Sequence, residues 1–340
     1  MSPTPLPAQS LGFAFADEAL ESRVRAGLER VEQALRDSTQ SEAPFVTQAA
    51  QHVMVAGGKR FRPLLVLLAA EFGPRPTATE VVDAAVVVEL THVATLHHDD
   101  VMDEAALRRG SSTANAAWDN SVAILAGDWL FAKASDLVAS LGPEAVRIQA
   151  RTFGRLVEGQ IRETLGVGEG QDPLAHYLSV VADKTGSLIA TSALFGARFA
   201  GAPAEVQEAL RAFGEEIGTA FQLADDILDV TSESGQSGKT PGTDLREGVP
   251  TLPVLIFRAQ ADPAKPEDAR LLELLDSDLT DDARLAETLA ALRVHPSLQQ
   301  AEEDVRRRAD DARKLLTDLP EGIARSALES LCDLVVTRSV

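Results

Sequence analysis

The chain has 340 residues and carries 52 Asp and Glu against 32 Lys and Arg, a formal net charge of −20 at pH 7. That excess repels nucleic acid and anionic membrane surfaces at long range, which argues against either as a partner and makes any phosphate site a local concentration of Lys and Arg. With 45% hydrophobic residues the chain can build a sizeable core, and Cys332, the one cysteine, excludes an intrachain disulfide and points to a reducing compartment.

Residues 1–15 hold Pro3, Pro5 and Pro7 without a basic start or a long apolar run, so they read as a disordered tail rather than a secretory signal. No stretch reaches the roughly 18 apolar residues of a membrane span, and the expected location is the cytoplasm. Strand-like alternation is scarce while Ala, Leu, Glu and Arg abound, so the expected fold is all-α, with residues 16–340 as one helical domain. Glu18 to Arg36 places Leu20, Val24, Leu28, Val31 and Leu35 at helical period. A second helix is expected from Pro44 to Val55, stopped by Gly57-Gly58, and a third from near Arg60 to before Gly73-Pro74. A long helix follows from about Thr79 to Glu104, then Asn115 to Ser140, Pro143 to Leu165, Ala175 to Ala200 with a break at Gly186, and Ala204 to Thr231. The run SESGQSGKTPGTDLREGVP is the longest Gly/Ser/Pro-rich break, of a length that usually serves function. Beyond it, Thr251 to Ala259 is mostly apolar and Asp262 to Asp268 reads as a surface connection. Asp281 to Leu292, Leu298 to Thr317 and Glu321 to Val336 read as amphipathic helices.

The chemistry gathers at the polar ends of two apolar helices. In HDDVMDEAALRR, Asp99 and Asp103 are i,i+4 neighbours whose carboxylates leave one helix face a turn apart, with Asp100 between them. Two like charges so close call for a cation, and a hard divalent ion such as Mg²⁺ takes one or two carboxylates and completes its shell with water and phosphate oxygens. Arg108 and Arg109, just beyond, can grip that phosphate as bidentate donors. Gln222, Asp225, Asp226 and Asp229 repeat the D-D-x-x-D spacing in FQLADDILD. One such block reads equally well as a solvated acidic helix end; two, with cations nearby, read as the halves of a metal-diphosphate site.

Gly57-Gly58-Lys59-Arg60-Phe61-Arg62-Pro63 opens a helix with bare backbone N–H groups and cations, where Lys59 and Arg62 can hold an anion, although a plain helix break has the same look. His92 lies two turns before Asp99, a position more often filled by a core histidine. His97 and His98 beside the aspartates suggest instead a His-Asp metal hydrolase, but His52, His92, His176 and His295 are not distributed as further ligands. Asp183-Lys184-Thr185-Gly186 interrupts an apolar helix with a cation and a hydroxyl, and Lys239 lies in the long loop. Each of these could equally be surface decoration.

Taken together, HDDVMDEAALRRGSSTAN, FQLADDILD, GGKRFRP and DKTGSL occur in the order and at the spacing of the trans-polyprenyl diphosphate synthases, which the chain resembles from about His52 to Pro253. The resemblance implies an all-helical fold layered around a deep central cavity, usually a homodimer. It implies that Asp99 and Asp103 ligate Mg²⁺ bridging an allylic diphosphate, that Asp100 supports them, and that Asp225 adds a ligand with Asp226 and Asp229 behind it. Arg108, Lys184, Thr185, Gln222 and Lys239 would hold the allylic substrate, and Lys59, Arg62, His92 and Arg109 isopentenyl diphosphate. The implied reaction is loss of the diphosphate, attack of isopentenyl diphosphate on the allylic cation and loss of a proton, with the Lys184 backbone carbonyl, Thr185 and Gln222 steadying the cation. Where many relatives carry a second lysine after D-L-x-E-G, this chain has Val249. In the family the residues four and five before the first aspartate floor the tail pocket; here they are the small Thr95 and Ala94, which opens the way to Thr91 and Leu90. The expected product is longer than C20, about C30 to C50, a quinone side-chain precursor. Trp129 or Phe131 deeper down would instead stop the tail at a farnesyl or geranylgeranyl length. A terpene cyclase has no use for the Lys59 and Arg62 site, and a non-catalytic subunit would lack the acidic motifs, although the catalytic half of a heteromeric synthase would keep them.

Overall fold

The computed structural model describes residues 15–232 and 241–338, so residues 1–14 of the expected tail, and Lys239, lie outside the described residues. In chain order the helices are α1 (Glu18–Ser38), α2 (Pro44–Val55), α3 (Phe61–Ala70) and α4 (Thr79–Met102). A two-residue hairpin, β1 (Leu107–Arg108) with β2 (Ser111–Ser112), is the one sheet among the described residues. There follow α5 (Ala114–Ala117), α6 (Asn120–Ser140), α7 (Pro143–Leu165), α8 (Pro173–Val181), a π-helical turn Ala182–Gly186, α9 (Ser187–Ala200) and α10 (Ala204–Thr231). The chain closes with α11 (Thr243–Arg246), α12 (Leu252–Gln260), α13 (Pro266–Leu275), α14 (Asp282–Val294), α15 (Pro296–Leu315) and α16 (Ile323–Arg338).

The arrangement follows from how apolar each helix is. In α4, Val81, Val82, Ala84 to Val88, Leu90, Val93 and Ala94 are all buried, so the helix is covered on every side. A helix apolar all round belongs in the middle, and α4 is packed by α1, α3, α6 and α9. Each Val or Leu withdrawn from water there contributes about 1.5–3 kcal/mol. The second long helix, α10, lies on α9, α12 and α15, burying Val206, Leu210, Phe213, Ile217, Leu223, Ile227 and Val230. Buried apolar side chains from Leu20 of α1 to Val335 of α16 form one connected core.

Several boundaries differ from the sequence expectation, four of them as follows. The expected helix Asn115 to Ser140 divides at Trp118, because the Asp119 side chain accepts from the Val122 N–H at 2.9 Å and starts α6 afresh. The helix expected to break at Gly186 passes through it by widening into the π turn. The surface connection Asp262 to Asp268 is half helix: Pro266 opens α13 in its first turn, with Glu267 and Asp268 following. The fourth is α4, which stops at Met102 rather than Glu104.

Candidate active site

At the end of α4, Asp103 caps the helix, its N–H donating to the Asp99 carbonyl at 2.8 Å, so Asp99 and Asp103 still lie one turn apart. Asp99 is half-buried and Asp103 exposed, whereas Asp100 is fully buried, with its Oδ1 accepting from Arg108 Nε at 2.6 Å. Asn115 Nδ2 donates to the Asp100 carbonyl at 3.1 Å and fixes that turn from below. Glu104 at φ 49°, then Arg109 at φ 53° with Gly110 at φ 75°, fold the hairpin back. The fold-back lays Arg108 over Asp100 and sends the Arg109 guanidinium to the Gly57 carbonyl. Burial lifts the Asp99 carboxyl to about 6, with Lys184 opposing the rise and Asp103 adding to it. Burial also raises Asp100 and Asp103.

Lys184 and Thr185 come from the π turn, a helix defect common at functional sites. Asp183 anchors it: Arg155 Nε donates to one carboxylate oxygen at 2.7 Å and Arg162 donates to the other. Lys184 Nζ donates to Glu163 on α7, and Thr185 Oγ1 donates to Gln222 Oε1 at 3.2 Å. Asp99, Asp103, Lys184 and Glu163 act on one another electrostatically, so the first acidic block and the π turn face each other.

On α10, Asp225 and Asp229 are half-buried and Asp226 is buried. Asp226 is buried, accepting from the Tyr177 hydroxyl and from Gln222 Nε2 at 3.2 Å, and burial pushes its carboxyl up to about 7 against the Tyr177 hydrogen bond. Asp229 receives the backbone N–H groups of Thr243 and Asp244, each at 3.1 Å, and so ties the far side of the long loop to α10.

The basic residues form a second cluster. Arg62, in the first turn of α3, has its Nε buried with no hydrogen-bond partner, and burial lowers the guanidinium to about 10 against the pull of Glu89. Burial, reinforced by Arg62, Arg109 and Arg108, holds His92 well below the usual histidine range, so it is neutral. An orphaned guanidinium N–H beside a neutral imidazole and a second arginine suits an anion. Lys59 is exposed at the edge of this cluster.

Among the described residues no three His, Cys, Asp or Glu side chains stand close enough to hold a metal ion by themselves. The donor set that Asp99, Asp103 and Asp225 offer is all carboxylate oxygen, which fits a hard divalent cation whose shell is completed by substrate oxygens. Glu163, Tyr177 and the Arg155 and Arg162 anchors could not be found from spacing, since their roles depend on α7 and α8 crossing the ends of α4 and α10; Asn115, on α5, closes the first acidic motif but its bond to the Asp100 carbonyl needs the fold. The one available signal was Tyr177, the sole tyrosine of the chain.

No helix among the described residues is long and apolar enough to cross a membrane. The model of the polyprenyl synthetase family matches residues 43–292. The chain is 49% identical over 327 residues to nonaprenyl diphosphate synthase of Mycobacterium tuberculosis, covering 96% of this chain and 97% of that protein. Its fold is similar to that of geranylgeranyl pyrophosphate synthase from Corynebacterium glutamicum, crystallised with calcium and isoprenyl diphosphate, at TM-score 0.85 and 45% identity, covering 96% and 99% of the two chains. It is also similar to a decaprenyl diphosphate synthase from Rhodobacter capsulatus, at TM-score 0.83 and 34% identity, covering 95% and 99%. The all-α fold, both acidic blocks and these likenesses agree: the chain belongs to the polyprenyl synthetase family of prenyltransferases.

Proposed function

We propose that the protein condenses isopentenyl diphosphate head-to-tail with an allylic diphosphate, using Mg²⁺, to make an all-trans polyprenyl diphosphate of about C30 to C50. The observation that carries this reading is the pairing of two different anion sites: carboxylates facing Lys184 and Arg108 at the end of α4, and a basic cluster of Arg62, His92 and Arg109 beside it. The first suits a diphosphate that leaves, the second a diphosphate that stays.

In this reading Asp99, Asp103 and Asp225 hold Mg²⁺, with Asp226 and Asp229 fixing α10 behind them. Bound Mg²⁺ supplies the positive charge that lowers the cost of the departing diphosphate. Arg108, Lys184 and Lys239 add cationic donors, and Thr185 and Gln222, already bonded to each other at 3.2 Å, set oxygens beside the allylic carbon. Asp100 keeps Arg108 in place. Lys59, Arg62, His92 and Arg109 hold isopentenyl diphosphate, and the neutral His92 donates a hydrogen bond without adding charge. The released diphosphate takes the proton lost after carbon–carbon bond formation. With Val249 in place of a lysine, Lys239 is the loop cation left for this task.

The small Thr95 and Ala94, together with the 49% identity to a nonaprenyl diphosphate synthase, support the long product. A second reading, a C15 or C20 product, is favoured by one contact: Gln149 Nε2 of α7 donates to Thr91 Oγ1 of α4 at 2.5 Å, two turns below Asp99. Exposed Ile124 and Leu125 on α6 and Val146, Val157 and Ile161 on α7 support a homodimer. A cytoplasmic location and a quinone side chain as the product's destination complete the proposal. The experiment is incubation with Mg²⁺, labelled isopentenyl diphosphate and C5, C10, C15 or C20 primers, followed by sizing of the dephosphorylated products. Products of C30 or longer are expected; products ending at C15 or C20 would move the assignment to the second reading, and no condensation would reject both.

A further inference from the structure

Between the Gly57-Gly58 turn and Arg62 lies Arg60, a side chain the reaction leaves unexplained. It is 6% exposed and opens α3 at φ 49° and ψ 39°, a left-handed conformation that a residue with a side chain keeps only where its surroundings enforce it. All three guanidinium nitrogens are engaged with protein. Nε donates to Glu32 of α1, Nη1 to Glu89 of α4 at 3.2 Å, and Nη2 to the Met54 carbonyl of α2 at 3.3 Å. With a second Nη2 contact, to Glu32 at 3.5 Å, four of its five N–H groups are held by protein, and Arg60 ties three helices together at the start of the turn that carries Lys59 and Arg62.

Two further observations connect this tie to the basic cluster. Glu89 is 3% exposed, and its charge acts on Arg62 and Arg109 as well as Arg60, so it is the buried counter-charge that lets three guanidinium groups sit side by side. A side-chain carbon on Gly58 would stand 2.6 Å from Arg109 Nη1 and 2.9 Å from Arg60 Nη1, so the two arginines pack directly on bare backbone. The height of that backbone sets where Arg109 lies, and Arg109 also donates to the Gly57 carbonyl.

We propose that Arg60 is a positioning residue for the isopentenyl diphosphate site: gripped by Glu32, Glu89 and the Met54 carbonyl, it fixes the Gly57-Gly58-Lys59 turn and thereby the placement of Lys59, Arg62 and Arg109 around His92. The inference rests on assigning that cluster to isopentenyl diphosphate, as in the preceding section. Arg60→Lys keeps the charge, but an ammonium group cannot span two carboxylates and a carbonyl from one point. Gly58→Ala acts from the other side: its methyl meets the ends of both the Arg109 and the Arg60 side chains, which must give way, and the backbone at φ 158° must adjust with them.

The test is steady-state kinetics on the full-length protein with isopentenyl diphosphate and the allylic diphosphate varied separately, alongside the melting temperature of each variant. For Arg60→Lys the KM for isopentenyl diphosphate is expected to rise about tenfold, while the allylic KM and the kcat at saturation change less than about twofold. Gly58→Ala is expected to show the same split and decides the matter should Arg60→Lys not fold. A parallel rise in both KM values, or no change in either, would overturn the positioning role while leaving the condensation reaction in place. A wild-type protein that condenses nothing would instead overturn the proposed function, and this inference with it.

Discussion

Replacing Ala94 by Phe tests the reading of product length at the point where the structure gives it a scale. Ala94 precedes Asp99 by five residues, about 7.5 Å along the helix axis, and Thr91 by eight, about 12 Å. An extended main chain gains about 3.6 Å per three bonds, so a four-bond isoprene unit reaches about 4.8 Å and a six-unit tail about 29 Å. From Asp99 back to Thr79, where α4 begins, is about 30 Å, so a C30 product needs a path along the whole helix. An aromatic ring at Ala94 interrupts that path after one to two units. Here α4 and α6 pack closely, since a side chain on Gly127 would begin 3.1 Å from the Ala94 carbonyl. Overpacking a fully buried alanine costs about 1–3 kcal/mol, so the variant is first checked for a cooperative melt. Chromatography of the dephosphorylated products is expected to show a shift from C30 or longer to about C10, the two units that fit before the ring, with isopentenyl diphosphate still consumed. A folded variant whose products match the wild type would refute the path along α4.

The pH dependence has opposite signs with and without metal. Asp99, raised to about 6, keeps a proton that a cation must displace, so the half-saturating Mg²⁺ concentration is expected to fall by up to about tenfold per pH unit until pH 6 and then level off, while Asp226, raised to about 7, keeps its proton behind the site. A flat Mg²⁺ requirement across that range would contradict the assignment. In metal-free protein, folded-state values above the unfolded ones mean that the folded chain binds protons more tightly; that stabilisation is complete below about pH 4 and is lost as pH rises through 6 and 7. Its melting temperature is accordingly expected to decline over the same interval, with a rise counting against the burial of these carboxyls. Asp183→Asn leaves Arg155 and Arg162 without their shared carboxylate and loosens the π turn behind Lys184; kcat is expected to drop about tenfold, equivalent to about 1.4 kcal/mol, and an unchanged kcat would show that the turn holds without it.

Much of the fold was legible because the helices are long and their caps are written in the sequence. Ala204 to Thr231 was expected to the residue, as were α2 and α7, and α1 nearly so, since apolar period and Gly or Pro punctuation agree there. The break at Trp118 and the π turn were missed for the opposite reason: apolar content continues through both, and it is the Asp119 cap and the contacts of Asp183 that decide them. In the site, the residue types and their order were readable, and the structure brings Asp99, Asp103 and Lys184 together and gathers Arg62, His92 and Arg109. What spacing could not tell was the division of labour within each D-D-x-x-D block. Asp100, Asp226 and Asp229 bond to Arg108, Tyr177 and the Thr243 and Asp244 backbone; Tyr177 comes from an element 49 residues away, and the nearer partners meet their aspartates only because the chain turns back on itself.

The central claim is that the two acidic blocks act together on one diphosphate. It is tested most directly by measuring label transferred from isopentenyl diphosphate into prenyl product with and without Mg²⁺, in the wild type and in the Asp99→Ala/Asp225→Ala double variant. Transfer that requires Mg²⁺ and falls at least about 10²-fold in a double variant that still folds is the expected result. Mg²⁺-independent transfer, or a folded double variant as active as the wild type, would contradict it.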